Sequence, residues 1–253
     1  MNPQGQAALV TGAGSGLGGA TAAKLIARGA KVTLLDINIA AAKAVAAKIG
    51  GLAIACDVTQ GDATAAAIAQ ARAAHGPARI LINCANVGPA KRIVGHDGPQ
   101  PLEEFERVIK INLIGTFNAL RLAAADMQTL PPLDDGERGV IVMTASVAAY
   151  EGQVGQAAYA ASKGGVQSLT LPAARELAQF GVRVATVAPG IFSTPMLAAL
   201  PEEVQQSLAA SVPFPKLLGK PEQYADLVLH IVENRYINGE TIRLDGALRM
   251  APR

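Results

Sequence analysis

Cysteine is scarce in this sequence. Cys56 and Cys84 are the two among 253 residues, too few for a disulfide framework and without the neighbours of a metal site. They fit a reducing compartment, each as a small buried side chain, and no metal is expected. Charge imbalance is lacking as well: the net charge is +2 and the basic residues are scattered, so neither nucleic acid nor a membrane surface is suggested as a partner. No uninterrupted apolar run reaches 18 residues, and an apolar strand begins by Ala7, which leaves no room for a signal peptide. A cytoplasmic location is the expectation. There is no internal repeat and no low-complexity tail.

Half of the residues are hydrophobic, enough to bury a substantial core, and residues 1–253 are read as a single domain. Residues 7–11 form a short apolar run that ends in Gly12-Ala-Gly-Ser15-Gly16-Leu17-Gly18 and leads into a helical segment through Arg28. Glycine permits positive φ and close backbone approach, and the amides and positive end of the helix can hold a pyrophosphate. Such turns also join strands to helices with no ligand, so the following strand matters. Residues 31–35 read as that strand and end in Asp36, 18 residues past Gly18, where a carboxylate accepts hydrogen bonds from an adenosine ribose and repels a 2′-phosphate. No lysine or arginine stands among Ala13, Gly14, Ser15 and Ile37, so the expected cofactor is NAD rather than NADP.

Further strands are read at 52–56, leading into Asp57 and Val58, and at 79–83, leading into Cys84-Ala-Asn86-Val-Gly88, with helices at 38–49 and 62–74. A long helix over 101–127 carries Asn112, and 128–139 is a polar surface loop. Residues 182–188 form a strand ending in Pro189-Gly190, residues 221–234 a helix, and residues 241–244 the last strand. This alternation predicts an α/β fold: one Rossmann-type doubly wound parallel sheet of about seven strands, with right-handed crossovers and helices on both faces. Residues 191–220 break the alternation. There Met196, Leu197, Leu200, Leu208, Val212 and Phe214 are expected as exposed apolar positions of a substrate loop or lid.

Within 146–163 the residue types turn chemical. Tyr159 and Lys163 lie four apart at the start of an alanine-rich run, so a helix stacks them on one face. A cation beside a phenol favours the phenolate and lowers its pKa from about 10, which is a route to an acid/base tyrosine. Ser146 follows the apolar strand 140–144, and its hydroxyl is expected at the strand's carboxyl end, where open α/β sheets bind ligands. The helix is expected to continue to Gln179, with a kink at Pro172.

Gly12-x-x-x-Gly16-x-Gly18, Asp57, Asn112, Ser146, Tyr159-x-x-x-Lys163 and Pro189-Gly190 together resemble the short-chain dehydrogenase/reductase superfamily, over nearly the whole chain. The segments 145–156, 213–215, 238–240 and 243–250 are similar to its 3-hydroxyacyl-CoA dehydrogenase branch. The resemblance implies that Tyr159 is the acid/base and that Ser146, with Gln156, binds the substrate. It also implies that Lys163 binds the nicotinamide ribose and that Asn112 completes a proton relay through water. Ser15, Leu17, Asp36, Asp57, Val58, Cys84, Phe192 and Thr194 would line the NAD site with Gly12, Gly16, Gly18, Pro189 and Gly190. The family's Asn-Asn-Ala-Gly segment reads Asn83-Cys84-Ala85-Asn86 here, so an asparagine stands at a glycine turn and its side chain is a candidate to crowd the adenosine.

The implied reaction is reversible oxidation of a secondary alcohol. The substrate implied is a 3-hydroxyacyl-CoA, with a hydroxysteroid or other secondary alcohol as the second reading. Lys91, Arg92, Lys216 and Lys220 are either solvated charge or contacts for CoA phosphates. A third reading, from another class, is a non-catalytic NAD-binding scaffold for a partner protein. A homotetramer is implied by the resemblance alone.

Overall fold

The computed structural model describes residues 1–253 except 97, 199, 200 and 253. Its first half alternates β1 (Ala7–Thr11), α1 (Gly16–Ala27), β2 (Lys31–Asp36), α2 (Ile39–Ile49), β3 (Leu52–Ala55), α3 (Gly61–His75) and β4 (Ile80–Asn83). A small antiparallel ribbon, β5 (Val94–Gly95) with β6 (Gly98–Pro99), projects next. Then come α4 (Leu102–Ile109), α5 (Gly115–Met127), β7 (Gly139–Thr144), α6 (Ala157–Ala178), β8 (Val182–Pro189), α7 (Pro195–Ala198), α8 (Glu202–Ala210), α9 (Pro221–Glu233) and β9 (Thr241–Leu244). Seven of the strands form one parallel sheet in the order β3-β2-β1-β4-β7-β8-β9.

The strands are short apolar runs because the sheet is covered on both faces. Along β7, Ile141 and Met143 face one core with helices α3, α5 and α6, while Val140 and Val142 face the other with α1, α2 and α9. Side chains alternate because the strand period is two. The chain winds from β1 outward to β3, then returns to β4 on the other side of β1. At that reversal the loops after β1 and β4 part, and a crevice opens at the strands' carboxyl ends.

The stretch expected as one helix over 101–127 is interrupted in its middle by a π-turn, Lys110–Ile114. As a unit, Leu102–Met127 is long and apolar enough in composition to cross a membrane, and half of its apolar window is buried in this protein. The charged residues that break up any uninterrupted apolar run lie on its solvent side, such as Glu103, Glu106 and Arg107. Helix α6 runs unbroken to Ala178 with Pro172 inside it. The segment after β8 that breaks the alternation holds two short helices, α7 and α8, tied back where Phe192 bridges Gly219. Of the apolar positions expected there, Phe214 is 82% exposed but Val212 is buried, because it packs on the turn after β9. Leu197 and Leu208 are half-buried; Leu200 and the Met196 side chain lie outside the described residues.

The loop 128–139 is less superficial than its polarity suggests. It carries Glu137 into the core, where its carboxylate accepts from Arg183 Nε at 2.8 Å. Arg183, on β8, also donates to the carbonyls of Ile231, Val232, Asn234 and Ile237 and so caps the end of α9. Replacing Arg183 by Met should cost about 3 kcal/mol, since it orphans these carbonyls and leaves Glu137 with the Met1 ammonium at 3.0 Å and the more distant Arg235 Nε at 4.0 Å. Thermal unfolding should then shift down by about 10 °C.

Candidate active site

The crevice is a cleft of about 980 Å³ that runs across the carboxyl ends of the central strands. At one end lies the glycine turn. Gly12 has φ 63°, and a Cβ there would lie 2.7 Å from the Ala85 backbone; at Gly18 it would lie 2.3 Å from the Gly12 carbonyl oxygen. Only glycine lets strand, turn and helix approach this closely. Ser15 caps α1 in extended conformation without a side-chain hydrogen bond to the helix, so the first-turn amides remain as free donors at the positive end of the dipole.

Asp36 closes that end. One carboxylate oxygen accepts Gly14 N–H at 2.8 Å and the other accepts Asn38 N–H at 2.8 Å, which fixes the group at the rim. Asp57 accepts the amide and the hydroxyl of Thr59, at 2.9 and 2.7 Å, and so shapes the turn that presents Val58. The Thr11 hydroxyl accepts the amides of Cys84 and Ala85, at 3.1 and 3.2 Å, and draws the facing loop against the turn. Asn86 does not use positive φ. Its amide folds back to donate to the Cys84 carbonyl at 2.9 Å, so the turn forms without glycine and the side chain is tied to its own loop.

At the other end Ser146 stands after β7, its Oγ accepting Ala148 N–H at 3.1 Å. Tyr159 and Lys163, one turn apart on α6, face it. Lys163 is 2% exposed; its Nζ donates to the Thr144 carbonyl at 2.8 Å and lies 5.7 Å from the centroid of the Tyr159 ring. Burial pushes this ammonium down to about 8. Burial also pushes the Cys84 thiol up, and the thiol only partly offsets the effect of burial on Lys163. The Tyr159 phenol is raised by burial, and the Ser146 hydrogen bond only partly opposes this. This corrects the expectation of a lowered phenol: the ammonium is turned to Thr144, and desolvation outweighs the partner that remains.

Every residue expected to hold cofactor or substrate lines this cleft, including Pro189, Gly190, Phe192, Thr194 and Gln156. Asn112 does not. Its side chain is fully buried and clamps Val87, accepting from the amide and donating to the carbonyl, both at 2.9 Å, with a further bond to Ser162 Oγ at 3.0 Å. Its side chain positions the cleft wall and has no donor left over for a water relay. Of the surface cations, Lys91 is paired with Glu104 at 2.7 Å, and the cations that line the cleft are Arg107, Lys110 and Lys163.

Sequence reasoning missed the support beneath Lys163. The Thr144 hydroxyl donates to the Asn83 carbonyl at 2.6 Å, so the buried Tyr224 hydroxyl, also at 2.6 Å, must donate to Thr144. Tyr224 meets Phe192 edge-on, with ring centroids 6.5 Å apart. A tyrosine on the apolar face of a helix gives no hint of this partner, which lies 80 residues away.

Residues 6–205 match the model of the short chain dehydrogenase family. The chain is 51% identical to 3-hydroxyacyl-CoA dehydrogenase type-2 of Bos taurus, covering 98% of this chain and 97% of that protein. It is 50% identical to the protein of the same name from Drosophila melanogaster, over 96% of this chain and 97% of that one. The crystal structure of 3-hydroxyacyl-CoA dehydrogenase type-2 from Mycobacterium avium superposes with a TM-score of 0.92 at 43% identity, covering 98% of both chains. The cleft, the order of motifs along the chain and these similarities agree: the chain belongs to the short-chain dehydrogenase/reductase family, whose members work with a nicotinamide cofactor.

Proposed function

We propose that the protein interconverts 3-hydroxyacyl-CoA and 3-oxoacyl-CoA thioesters with NAD as cofactor. The observation that carries the reading is that Ser146, Tyr159 and Lys163 share one cleft with the glycine turn and Asp36; the names of the relatives supply the substrate class. The free amides of α1 suit a pyrophosphate, and Asp36 suits ribose hydroxyls. When bound, the nicotinamide supplies the site that accepts or gives hydride.

In the oxidative direction, Tyr159 takes the proton of the substrate hydroxyl and Ser146 donates to the oxygen as charge develops on it. In the reductive direction Tyr159 returns the proton. Lys163 supports the phenolate and offers its remaining N–H groups to ribose hydroxyls. Asn112 holds Val87 in the wall beside them. A homotetramer belongs to the same reading, supported by half-exposed Ile114, Phe117 and Leu171 on the two long helices, which leave an apolar surface for other copies.

Purified protein should oxidise NADH with acetoacetyl-CoA and should be much slower with 3-keto and 17-keto steroids. Turnover of the steroids alone would move the substrate assignment to a hydroxysteroid. Silence on all of them, with partner capture, would favour a scaffold. The cofactor half is tested by Asp36→Asn, which keeps an acceptor for Asn38 but removes the charge that opposes a 2′-phosphate. The preference for NADH over NADPH in kcat/KM should narrow by about tenfold; an unchanged ratio would refute Asp36 as the selector.

A further inference from the structure

The last seven described residues form a strap. After β9 the chain turns at Asp245, whose Oδ1 accepts Ala247 N–H at 3.0 Å and whose carbonyl accepts Leu248 N–H at 3.0 Å. Ala247 has φ 66° and is the non-glycine residue at positive φ among the described residues, a conformation that persists only where the surroundings enforce it. Gly246 packs against Val212, so closely that a Cβ would lie 2.6 Å from its Cγ1. Beyond the turn, residues 250–252 run along the loop between Ser146 and Tyr159. Met250 N–H donates to Glu151 Oε2 at 3.3 Å, Gln153 Nε2 donates to the Ala251 carbonyl at 2.9 Å, and Val154 N–H donates to the Pro252 carbonyl at 3.0 Å. The strap therefore spans from the segment after β8 to the catalytic loop, and from it Met250 lines the cleft.

Charges hold it there. Arg243, on β9, binds Glu151 with both arms of its guanidinium, at 2.7 and 3.0 Å, and turns Nε to Asp245 at 2.7 Å. Its Nη2 also donates to the Leu248 carbonyl at 3.0 Å. The guanidinium lies 4.8 Å from the Tyr150 ring centroid. Arg249, on the strap itself, meets Asp245 at 3.2 Å and Glu151 at 3.5 Å. A bidentate, part-buried pair of this kind fixes geometry as well as charge. The guanidinium keeps the Glu151 carboxyl below the usual carboxylate range, so the pair stays ionised at neutral pH.

We infer that Met250 is a specificity-determining residue that ends the substrate side of the cleft, and that the Glu151–Arg243 pair is the latch that positions it. The inference rests on the dehydrogenase reading above and names which part of the substrate is sensed. Gln156, on the same loop the strap covers, lines the cleft together with Tyr159 and Met250. An acyl chain whose 3-hydroxyl is held by Ser146 and Tyr159 would extend within the cleft that Met250 also lines, and a flexible thioether is suited to packing on alkyl chains.

The test is the ratio of kcat/KM across a series of 3-oxoacyl-CoA substrates of increasing chain length, measured for wild type, Met250→Ala, Glu151→Gln and the double variant. NADH affinity is measured in parallel by fluorescence. Met250→Ala should raise KM for the shortest substrate about tenfold and shift the preference toward longer chains, the effect falling on KM rather than kcat. Glu151→Gln, at a position that does not line the cleft, should shift the profile in the same direction, and the double variant should shift it no further than the larger single change. NADH affinity should hold throughout. A wild-type chain-length profile in both single variants overturns the inference, as does a fall in kcat and NADH affinity with a flat profile, which would mark the strap as merely structural. Failure of wild type to turn over any thioester is a different outcome: it sinks the parent reading, and this inference with it.

Discussion

Tyr159→Phe should lower kcat for 3-oxoacyl-CoA reduction by about 10³-fold and leave NADH binding within about twofold. The substitution removes one oxygen and keeps the ring, which packs against Gly88 at the cleft wall, where a Cβ would lie 3.4 Å from Tyr159 Cε2. The glycine turn, Asp36 and Lys163 are untouched, so cofactor affinity reports whether the cleft has survived. Burial raises the phenol in the free protein, which means that at neutral pH the resting tyrosine is protonated and ready to give its proton to a ketone oxygen. Proton removal from an alcohol needs the phenolate. The oxidative direction should therefore gain from rising pH, while the reductive one should lose. The pH profiles of the two directions, measured on wild type, check this sign. Near-normal turnover by Tyr159→Phe would refute the acid/base role outright.

The parts of this site that were legible from residues alone are those whose chemistry is local in the chain. Gly12 to Gly18 and Asp36 announce a phosphate turn and a ribose acceptor because strand, turn and helix follow one another directly. Tyr159 and Lys163 announce themselves because a helix fixes how residues four apart meet. Strand ends fell within a residue or two, since fully buried parallel strands are continuous apolar runs. What stayed hidden depends on contacts made across the fold. Asn112 reads as a helix residue near the site, but only the π-turn at Lys110–Ile114 and the loop it faces show that its side chain is spent on Val87. Thr144, Cys84 and Tyr224 meet from positions up to 140 residues apart. The direction of the Tyr159 shift was misjudged for a related reason. Spacing gives the distance to a charge but not the depth of burial, and here burial decides the sign. Val212 looked like part of an open lid until the turn at Gly246 closed over it.

Lys163 is where burial has the largest consequence. Its ammonium is 2% exposed, has no carboxylate partner, and makes one hydrogen bond among the described residues, to the Thr144 carbonyl at 2.8 Å. A cation so placed is costly to the free protein, which is why its pKa falls to about 8 from an ordinary value of about 10.4. Between those values the unfolded chain holds a proton that the folded one has released, so stability rises with pH across that window. Cofactor affinity should run the other way. Two ammonium N–H groups are free for ribose hydroxyls, and the charge that strengthens those bonds is lost as pH climbs through about 8. Lys163→Met, of similar length and without charge, should weaken NADH binding about tenfold at neutral pH and lower kcat/KM by about 10²-fold, the scale of a charge-assisted hydrogen bond. It should also abolish both pH dependences: NADH affinity should become flat from about pH 7 to about pH 9, and the alkaline gain in melting temperature should vanish. Fluorescence titration and thermal melts over that range read both. If the methionine variant bound NADH as wild type does and kept the same pH dependence, the cation would not be the cofactor's partner. Its burial beside Tyr159 would then serve the phenol alone, through the 5.7 Å that separates them.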